Sequence, residues 1–286
     1  MDRKSDFGSV FQGYNYKMRI FKRSISNLLA VVGKNHSLIY GSNFMDGMFE
    51  KVERGYCGIN IPPFNLRNDN VSKFNSNAIM SRIEKDLGKP ISIMRNKSEE
   101  YENNTMGKLI TMRDYLRLAF DCEDRVDCSP ETLEECDWLN EDIYEKCKAE
   151  FMEKVKNPED LSFEVDVGSG DFVIDDEIVN IVGRLDGIDA NRIWEFKIVR
   201  YLTTEHKLQL VLYAWLWSKM HKNGEPRKFY LFNIRTGEVL MLKPEAMGRV
   251  EEIAMRTLEV CMIDFTAKKR VRAEGDDSVS KKRVKI

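Results

Sequence analysis

The 286-residue chain has no apolar run approaching the roughly 20 residues that a membrane-spanning helix needs. Its opening residues, MDRKSDFGSVFQGY, lack the apolar segment of a secretory signal. Both absences predict an intracellular protein with no membrane partner. The six cysteines suit free thiols in a reducing compartment. Cys122, Cys128, Cys136 and Cys147 cluster, but none of their gaps is the C-x₂₋₄-C spacing of a zinc site. A marked excess of positive charge is missing too, since the formal net charge is −2. From Lys268 onward eight basic residues stand against three acidic ones, a net of +5, which leaves −7 on the body before them. Contact with a polyanion must therefore come from a local patch or from that tail.

What is present is 42% hydrophobic and 32% charged, a composition that supports one large soluble domain, alone or with an accessory lobe. The chain is organised around residues 183–213, GRLDGIDANRIWEFKIVRYLTTEHKLQLVLY, which read as a tight hairpin followed by a helix. A two-residue connection at Ala190-Asn191 joins a strand ending near Asp189 to one starting near Arg192. Pairing about that centre sets Asp186 opposite Glu195, where side chains have Cβ atoms roughly 4.5–5.5 Å apart. Alternation places Val179, Ile181, Leu185 and Gly187 on one side of the first strand, and Trp194, Phe196 and Ile198 on the matching side of the second. Arg184, Asp186, Glu195 and Lys197 take the other side. Two close carboxylates repel unless a positive charge lies between them. Held on rigid strands, they suit a hard divalent cation such as Mg²⁺, which keeps positions for water and a substrate phosphate. Lys197 has two roles open to it, acting on a metal-bound water or stabilising charge on a phosphate. The plainer alternative is a partly exposed sheet face with a cross-strand salt bridge.

Asp186, then Glu195-Phe196-Lys197, then Gln209-Leu-Val-Leu-Tyr213 resembles the PD-(D/E)XK nuclease superfamily, and the Q-x-x-x-Y on the following helix resembles its RecB-like exonuclease branch. Gly183-Arg184-x-Asp186-Gly187 is similar to the second motif of that branch. The resemblance spans about residues 161–242. It implies that Asp186, Glu195 and the backbone carbonyl of Phe196 hold Mg²⁺ or Mn²⁺, that Lys197 serves the attacking water, and that Gln209, Tyr213 and Arg184 line the substrate side. Relatives often carry a metal-ligating histidine on an early helix. Here Lys108 stands at the closest match, Thr105-Met-Gly-Lys108, and Glu99, Glu100 or Glu102 are the candidate replacements. Some relatives hold an iron–sulfur cluster through three cysteines near the C-terminus; only Cys261 lies there, which excludes the cluster.

Along the rest of the chain, residues 1–23 read as a loose arm and Ser24 opens a short helix closed by Gly33. Residues 41–75 read as loop. Asn77–Leu87 and Met106–Phe120 read as helices, the second with Leu109, Met112 and Leu116 at helical spacing. Asp121–Lys156 reads as an acidic helical pair forming a solvated lobe, with starts at Ser129-Pro130 and at Asn140. Period-2 alternation begins at Leu161, with Glu164 on the polar face as an extra ligand or a plain surface residue. Gly168–Asp171 reads as a turn between two strands. Thr203 or Thr204 caps the apolar helix that carries Gln209 and Tyr213, and His206 stands in its first turn. A second hairpin turns at Arg235–Glu238, and Pro244 opens a final helix.

These readings define an α/β protein with a restriction-endonuclease-like αβββαβ core, a mixed central sheet and a helical N-terminal region. The expected division is an N-terminal arm and helical region at 1–95, a nuclease-like domain at 96–265 with an acidic helical insertion at 121–158, and a disordered basic tail at 266–286. The two basic clusters of that tail have the form of a bipartite nuclear address, which would engage the nuclear import machinery; a phosphate-binding arm is the other reading. The expected function is Mg²⁺-dependent hydrolysis of DNA phosphodiesters, exonucleolytic or endonucleolytic, in replication, recombination or repair. The alternative is an inactive nuclease fold that binds nucleic acid or another protein.

Overall fold

The structure is a computed structural model and describes residues 20–24, 45–53, 69–122, 138–174, 177–221 and 226–260. The expected helix after Ser24, the helix at Ser129-Pro130 and the basic tail lie outside the described residues. One mixed sheet of seven strands forms the centre: β1 (Ile20–Ser24), β2 (Phe49–Glu53), β3 (Ser162–Ile174), β4 (Glu177–Ile188), β5 (Arg192–Lys197), β6 (Lys228–Asn233) and β7 (Glu238–Leu242). The main path runs β1-β4-β5-β6-β7-β2, with β3 antiparallel along β4. β1 lies parallel to β4 and β5 parallel to β6; the remaining pairs are antiparallel. The fold is thus a mixed α/β architecture.

Helices cover both faces. α5 (Thr204–Met220) and the helix at 247–260, called α6, pack on one face, where Val211, Trp215, Leu231 and Ile253 are buried together. α1 (Asp69–Asp86), α3 (Met112–Asp121) and α4 (Glu141–Lys154) pack on the other with Trp194, Phe196 and Phe232; the short α2 (Glu99–Met106) adds Tyr101 and Met106 at the edge. β5 lies between the layers, so Ile193 is buried on one side and Trp194 on the other. A central strand with both faces covered has few polar positions, and each one needs a reason.

Several expectations need correction. Residues 20–23, read as the end of a loose arm, and Ser24, read as a helix cap, pair with β4 as a strand. Within the expected loop at 41–75, residues 49–53 form β2 against β7, and α1 already runs from Asp69. The helix expected over Met106–Phe120 begins only at Met112; Met106 is the last residue of a separate, earlier helix. α2 ends at Met106, and α3 restarts after Thr111, whose side chain and that of Asp114 form a capping box. The Asp114 carboxylate accepts the N–H groups of Ile110 and Thr111 at 3.2 and 2.8 Å, which holds the break open. Gly168–Asp171 is a bulge inside one long β3, not a turn between strands. α4 starts at Asn140 as expected, with Asn140 Oδ1 accepting the Ile143 N–H, but it does not belong to a solvated lobe: Tyr144, Cys147 and Phe151 are buried in the second core.

Alternation also fails in an informative way. Phe163 and Gly187 face the second core, whereas Val167 and Leu185 face the first, although all four are odd-numbered. Both strands switch face at the same place. There Glu164 has a left-handed φ of 48°. The flanking register, Phe163 with Gly187 and Val165 with Leu185, sets Glu164 opposite Asp186. A left-handed residue breaks the period-2 rule locally and re-aims its neighbours. The apolar sides expected to match across β4 and β5 therefore match only at Gly187. A Cβ there would stand 2.9 Å from Phe196 Cε2, so glycine lets the two strands close.

The Phe151 ring lies 5.2 Å, centroid to centroid, from the tilted ring of Phe196 and stacks at 6.3 Å on Phe163, tying α4 to the strands that carry the acids. Phe151→Ala should lower unfolding free energy by about 3–5 kcal/mol in urea titration, as deletion of a buried ring does. A peripheral lobe would tolerate that change with less than about 0.5 kcal/mol lost.

Candidate metal and phosphate site

The β4–β5 hairpin forms as the sequence predicts. The Asp189 N–H donates to the Arg192 carbonyl at 3.0 Å, and Asp189 Oδ1 accepts the N–H groups of Asn191 and Arg192 at 2.9 and 2.8 Å. An aspartate that binds the backbone two and three residues on is a turn-former, which explains the tight bend at Ala190-Asn191. The backbone ladder runs through Ile188–Ile193 and Gly187–Trp194, then stops. At the next pair, Asp186 and Glu195, the strands part. The Asp186 carboxylate fills the gap, and its Oδ2 accepts the Phe196 N–H at 2.7 Å. In an extended strand a residue's N–H and carbonyl point to the same edge, so the Phe196 carbonyl faces the Asp186 side.

Glu195 is 0% exposed. Its Oε1 accepts from Lys197 Nζ at 2.5 Å, and its Oε2 is buried with no hydrogen-bond donor among the described residues. An unsatisfied buried carboxylate oxygen costs at least about 1–3 kcal/mol unless a ligand meets it. Asp186, Glu195 and Lys197 therefore come together, as the spacing predicts. Tyr213, from the α5 side, is buried, and its hydroxyl titrates well above the usual range through burial and then the charges of Glu195 and Asp186. Gln209 Nε2 donates to the Tyr213 hydroxyl at 3.4 Å, so the pair meets one turn apart. Arg184 is set away from the buried acids: its Nε donates to Asp166 Oδ1 at 2.9 Å, with Glu164 Oε2 at 3.8 Å.

Two further acids join the site. Glu164, opposite Asp186, and Glu84, from α1, line a cleft of about 290 Å³ together with Asp186, Lys197 and His206. Glu84 is buried, and its carboxylate accepts from Ser92 N–H at 2.7 Å and Ser92 Oγ–H at 2.6 Å. Glu99 and Glu100, offered as replacements for the missing histidine, are exposed on α2, and Glu102 lines a neighbouring cleft instead. Lys108 is exposed. The acid that reaches the cleft from an early helix is thus Glu84. The signal was a carboxylate directly after Ile83, on the edge of an apolar stripe. His206 closes the α5 capping box by accepting the Thr203 N–H on Nδ1 at 3.0 Å. Burial, then the charge of Lys197, pushes its pKa down to about 4, so it is neutral near pH 7.

The electrostatics follow from crowding acids out of water. Burial first, then the charge of Asp186, raises Glu164 to about 8 and Glu195 to about 8. Burial raises Glu84 to about 7 against its bonds to Ser92, and Asp186 is raised by burial as well. Burial opposes the Lys197 charge, but Glu195 and Asp186 outweigh it and the net shift is upward. A hard cation fits this donor set by chemistry, through the unpartnered Glu195 Oε2, Asp186 and the Phe196 carbonyl edge. Even so, among the described residues no group of three or more His, Cys, Asp or Glu side chains is already arranged to hold a metal ion. Among them, too, no helix is long and apolar enough to cross a membrane.

No protein-family model matches the chain, and no curated protein matches it. Among solved structures the chain is similar to the one described as the crystal structure of SSO0001, at 18% identity over 64% of this chain and 84% of that one, with a TM-score of 0.29. At that score the likeness carries no argument about function.

Acids whose folded pKa is raised stabilise the protein below about pH 4.5, their unfolded value, and that stability is lost as pH rises through about 7 and 8. In chelator, thermal melts should therefore show Tm falling from pH 5.5 to pH 8.5. Mn²⁺ should raise Tm at pH 8.5 more than at pH 5.5, because it replaces the protons. Glu195→Gln should flatten the pH slope and remove most of the Mn²⁺ effect. A Tm indifferent to both pH and Mn²⁺ would show that the acids do not share a cation.

Proposed function

We propose that the protein is a metal-dependent nuclease that hydrolyses DNA phosphodiesters, built on a restriction-endonuclease-like αβββαβ core. The element order α4-β3-β4-β5-α5-β6 supports that core. The observation that carries the activity is Glu195: a carboxylate buried in mid-sheet, one oxygen on Lys197 and the other with no donor among the described residues, beside the Asp186 carboxylate. On this reading Asp186, Glu195 and the Phe196 carbonyl hold Mg²⁺ or Mn²⁺, which when bound stabilises negative charge on a phosphate. Lys197, its ammonium fixed at Glu195 Oε1, positions the attacking water and the phosphate oxygen. Glu164 and Glu84, once deprotonated, admit a phosphate only with a cation. Gln209, Tyr213 and Arg184 lie on the substrate side.

Linear and circular DNA incubated with the protein, with and without Mg²⁺, tests this. Cleavage should need the metal and should fall about 10²- to 10⁴-fold in Lys197→Ala, the usual range for loss of a positioned proton-handling group. Cleavage unchanged by that substitution would end the reading. One observation favours a second reading, a non-catalytic nucleic-acid-binding module: no ready-made cluster of metal ligands exists among the described residues. It predicts salt-sensitive DNA binding that survives Asp186→Ala, with no turnover at any Mg²⁺ or Mn²⁺ concentration.

A further inference from the structure

The first turn of α5 sends one polar ring into the cleft of the acids. His206 lines that cleft with Glu84, Glu164, Asp186 and Lys197. It precedes Gln209 by three residues and Tyr213 by seven, so the three share one face of α5.

A backbone N–H can only donate. The Thr203 N–H reaches His206 Nδ1 at 3.0 Å, so Nδ1 carries the lone pair, and the single proton of the neutral ring sits on Nε2. Thr203 Oγ1 lies 3.3 Å from the same nitrogen. Among the described residues no acceptor meets Nε2. Burial and the Lys197 charge keep the ring neutral near pH 7. The same tautomer excludes Nε2 as a metal ligand. Coordination needs a lone pair, and moving the proton to Nδ1 would set it against the Thr203 N–H. His206 thus offers the cleft a donor without a charge.

We propose that His206 Nε2–H donates a hydrogen bond to a non-bridging oxygen of the phosphate that enters this cleft, with the Thr203 backbone locking the ring in the tautomer that does so. The proposal rests on the nuclease reading and adds a phosphate-binding residue to it. Lys197 and the cation supply charge. His206 supplies direction, because an N–H bonds well only to an oxygen close to its own axis. The proton stays on the ring throughout: a neutral imidazole is too weak an acid to protonate a leaving oxygen. A donor already fixed by the backbone stabilises charge on the phosphate without reorganising as that charge grows.

The test is nuclear magnetic resonance of the full chain with ¹⁵N-labelled histidine. The chain has three histidines, so His36→Gln and His221→Gln assign the signals of His206 by elimination. Near pH 7 with Mg²⁺ they should show Nε2 protonated and Nδ1 bare. Thymidine 5′-monophosphate carries the phosphate with nothing to cleave; added with Mg²⁺, it should shift Nε2 and leave the proton there. His206→Ala should lower kcat for DNA cleavage about 10- to 100-fold, as loss of a hydrogen bond to a charged group does. Calorimetry should find its Mn²⁺ affinity within about twofold of the wild type. A proton on Nδ1, or an Nε2 that ignores the nucleotide, overturns the proposal. So does a Mn²⁺ affinity that falls along with cleavage, since the ring would then be a ligand or a brace for the acids. If the wild type cleaves DNA while Nε2 ignores the nucleotide, only the role of His206 falls. If Nε2 responds but no Mg²⁺ or Mn²⁺ concentration gives cleavage, the phosphate donor stands and the nuclease reading falls. If neither occurs, both fall.

Discussion

One ammonium among four carboxylates sets the terms for the centre of this molecule. Lys197 bonds Glu195, and Asp186, Glu164 and Glu84 lie close enough to raise one another's pKa values. Taking charges out of water costs several kcal/mol per ion, and Lys197, with Arg184 at 3.8 Å from Glu164 on the rim, does not neutralise four acids. The protein meets that deficit with protons, held up to about pH 7 to 8, and with backbone and hydroxyl donors where it can, as Phe196 N–H does for Asp186 and Ser92 for Glu84. Glu195 Oε2 is left over. The helical layers hold the acids at this spacing: α1 brings Glu84, α5 brings Tyr213, and Phe151 on α4 braces the ring of Phe196.

Geometry creates the crowding as much as composition does. A regular β3–β4 ladder would alternate smoothly and aim Glu164 and Asp186 by the period of two. The left-handed φ of Glu164 interrupts that, and both strands exchange the core they face on either side of it. A non-glycine residue held there costs of order 1–3 kcal/mol and persists only where its surroundings enforce it. The ladder between β4 and β5 ends at the same level, freeing Asp186 to accept a backbone N–H. Strain, broken pairing and desolvated charge thus fall on one cross-section of the sheet.

This explains which parts of the molecule were legible in the sequence. The β4–β5 hairpin was, because its turn chemistry is local: Asp189 organises the bend, and the register then brings Asp186, Glu195 and Lys197 together. α5 and the β6–β7 hairpin were legible for similar reasons, one a continuous apolar run with a threonine cap, the other two short alternating strands around a glycine turn. The break at Gly107–Thr111 was harder, since Leu109 and Met112 keep helical spacing across it and only the Thr111–Asp114 box betrays the restart. Glu84 was not assigned to the site, and Glu164 stood open between an extra ligand and a surface residue, because their roles depend on long-range placement. A glutamate on a helix edge or a polar strand face looks like a surface residue until another element covers it. The strand at 49–53 was hidden because its apolar content is slight and its partner, β7, lies far along the chain.

The arrangement also separates the two readings of function on physical grounds. A module that only binds nucleic acid gains from positive charge and loses from negative charge, since phosphates dominate its affinity. The cleft here gains the opposite sign as its acids lose their protons, above about pH 7 to 8, and then repels a phosphate unless a cation is present; Arg184 meets only Glu164, at 3.8 Å, on its rim. Buried acids without enough counter-charge lower stability and obstruct anion binding unless a divalent cation joins them. On the metal-dependent reading the same acids become the cation's ligands and Lys197 meets the phosphate it admits. That reading accounts for the crowded acids with a single assumption, whereas the binding-only reading leaves them as an unexplained cost.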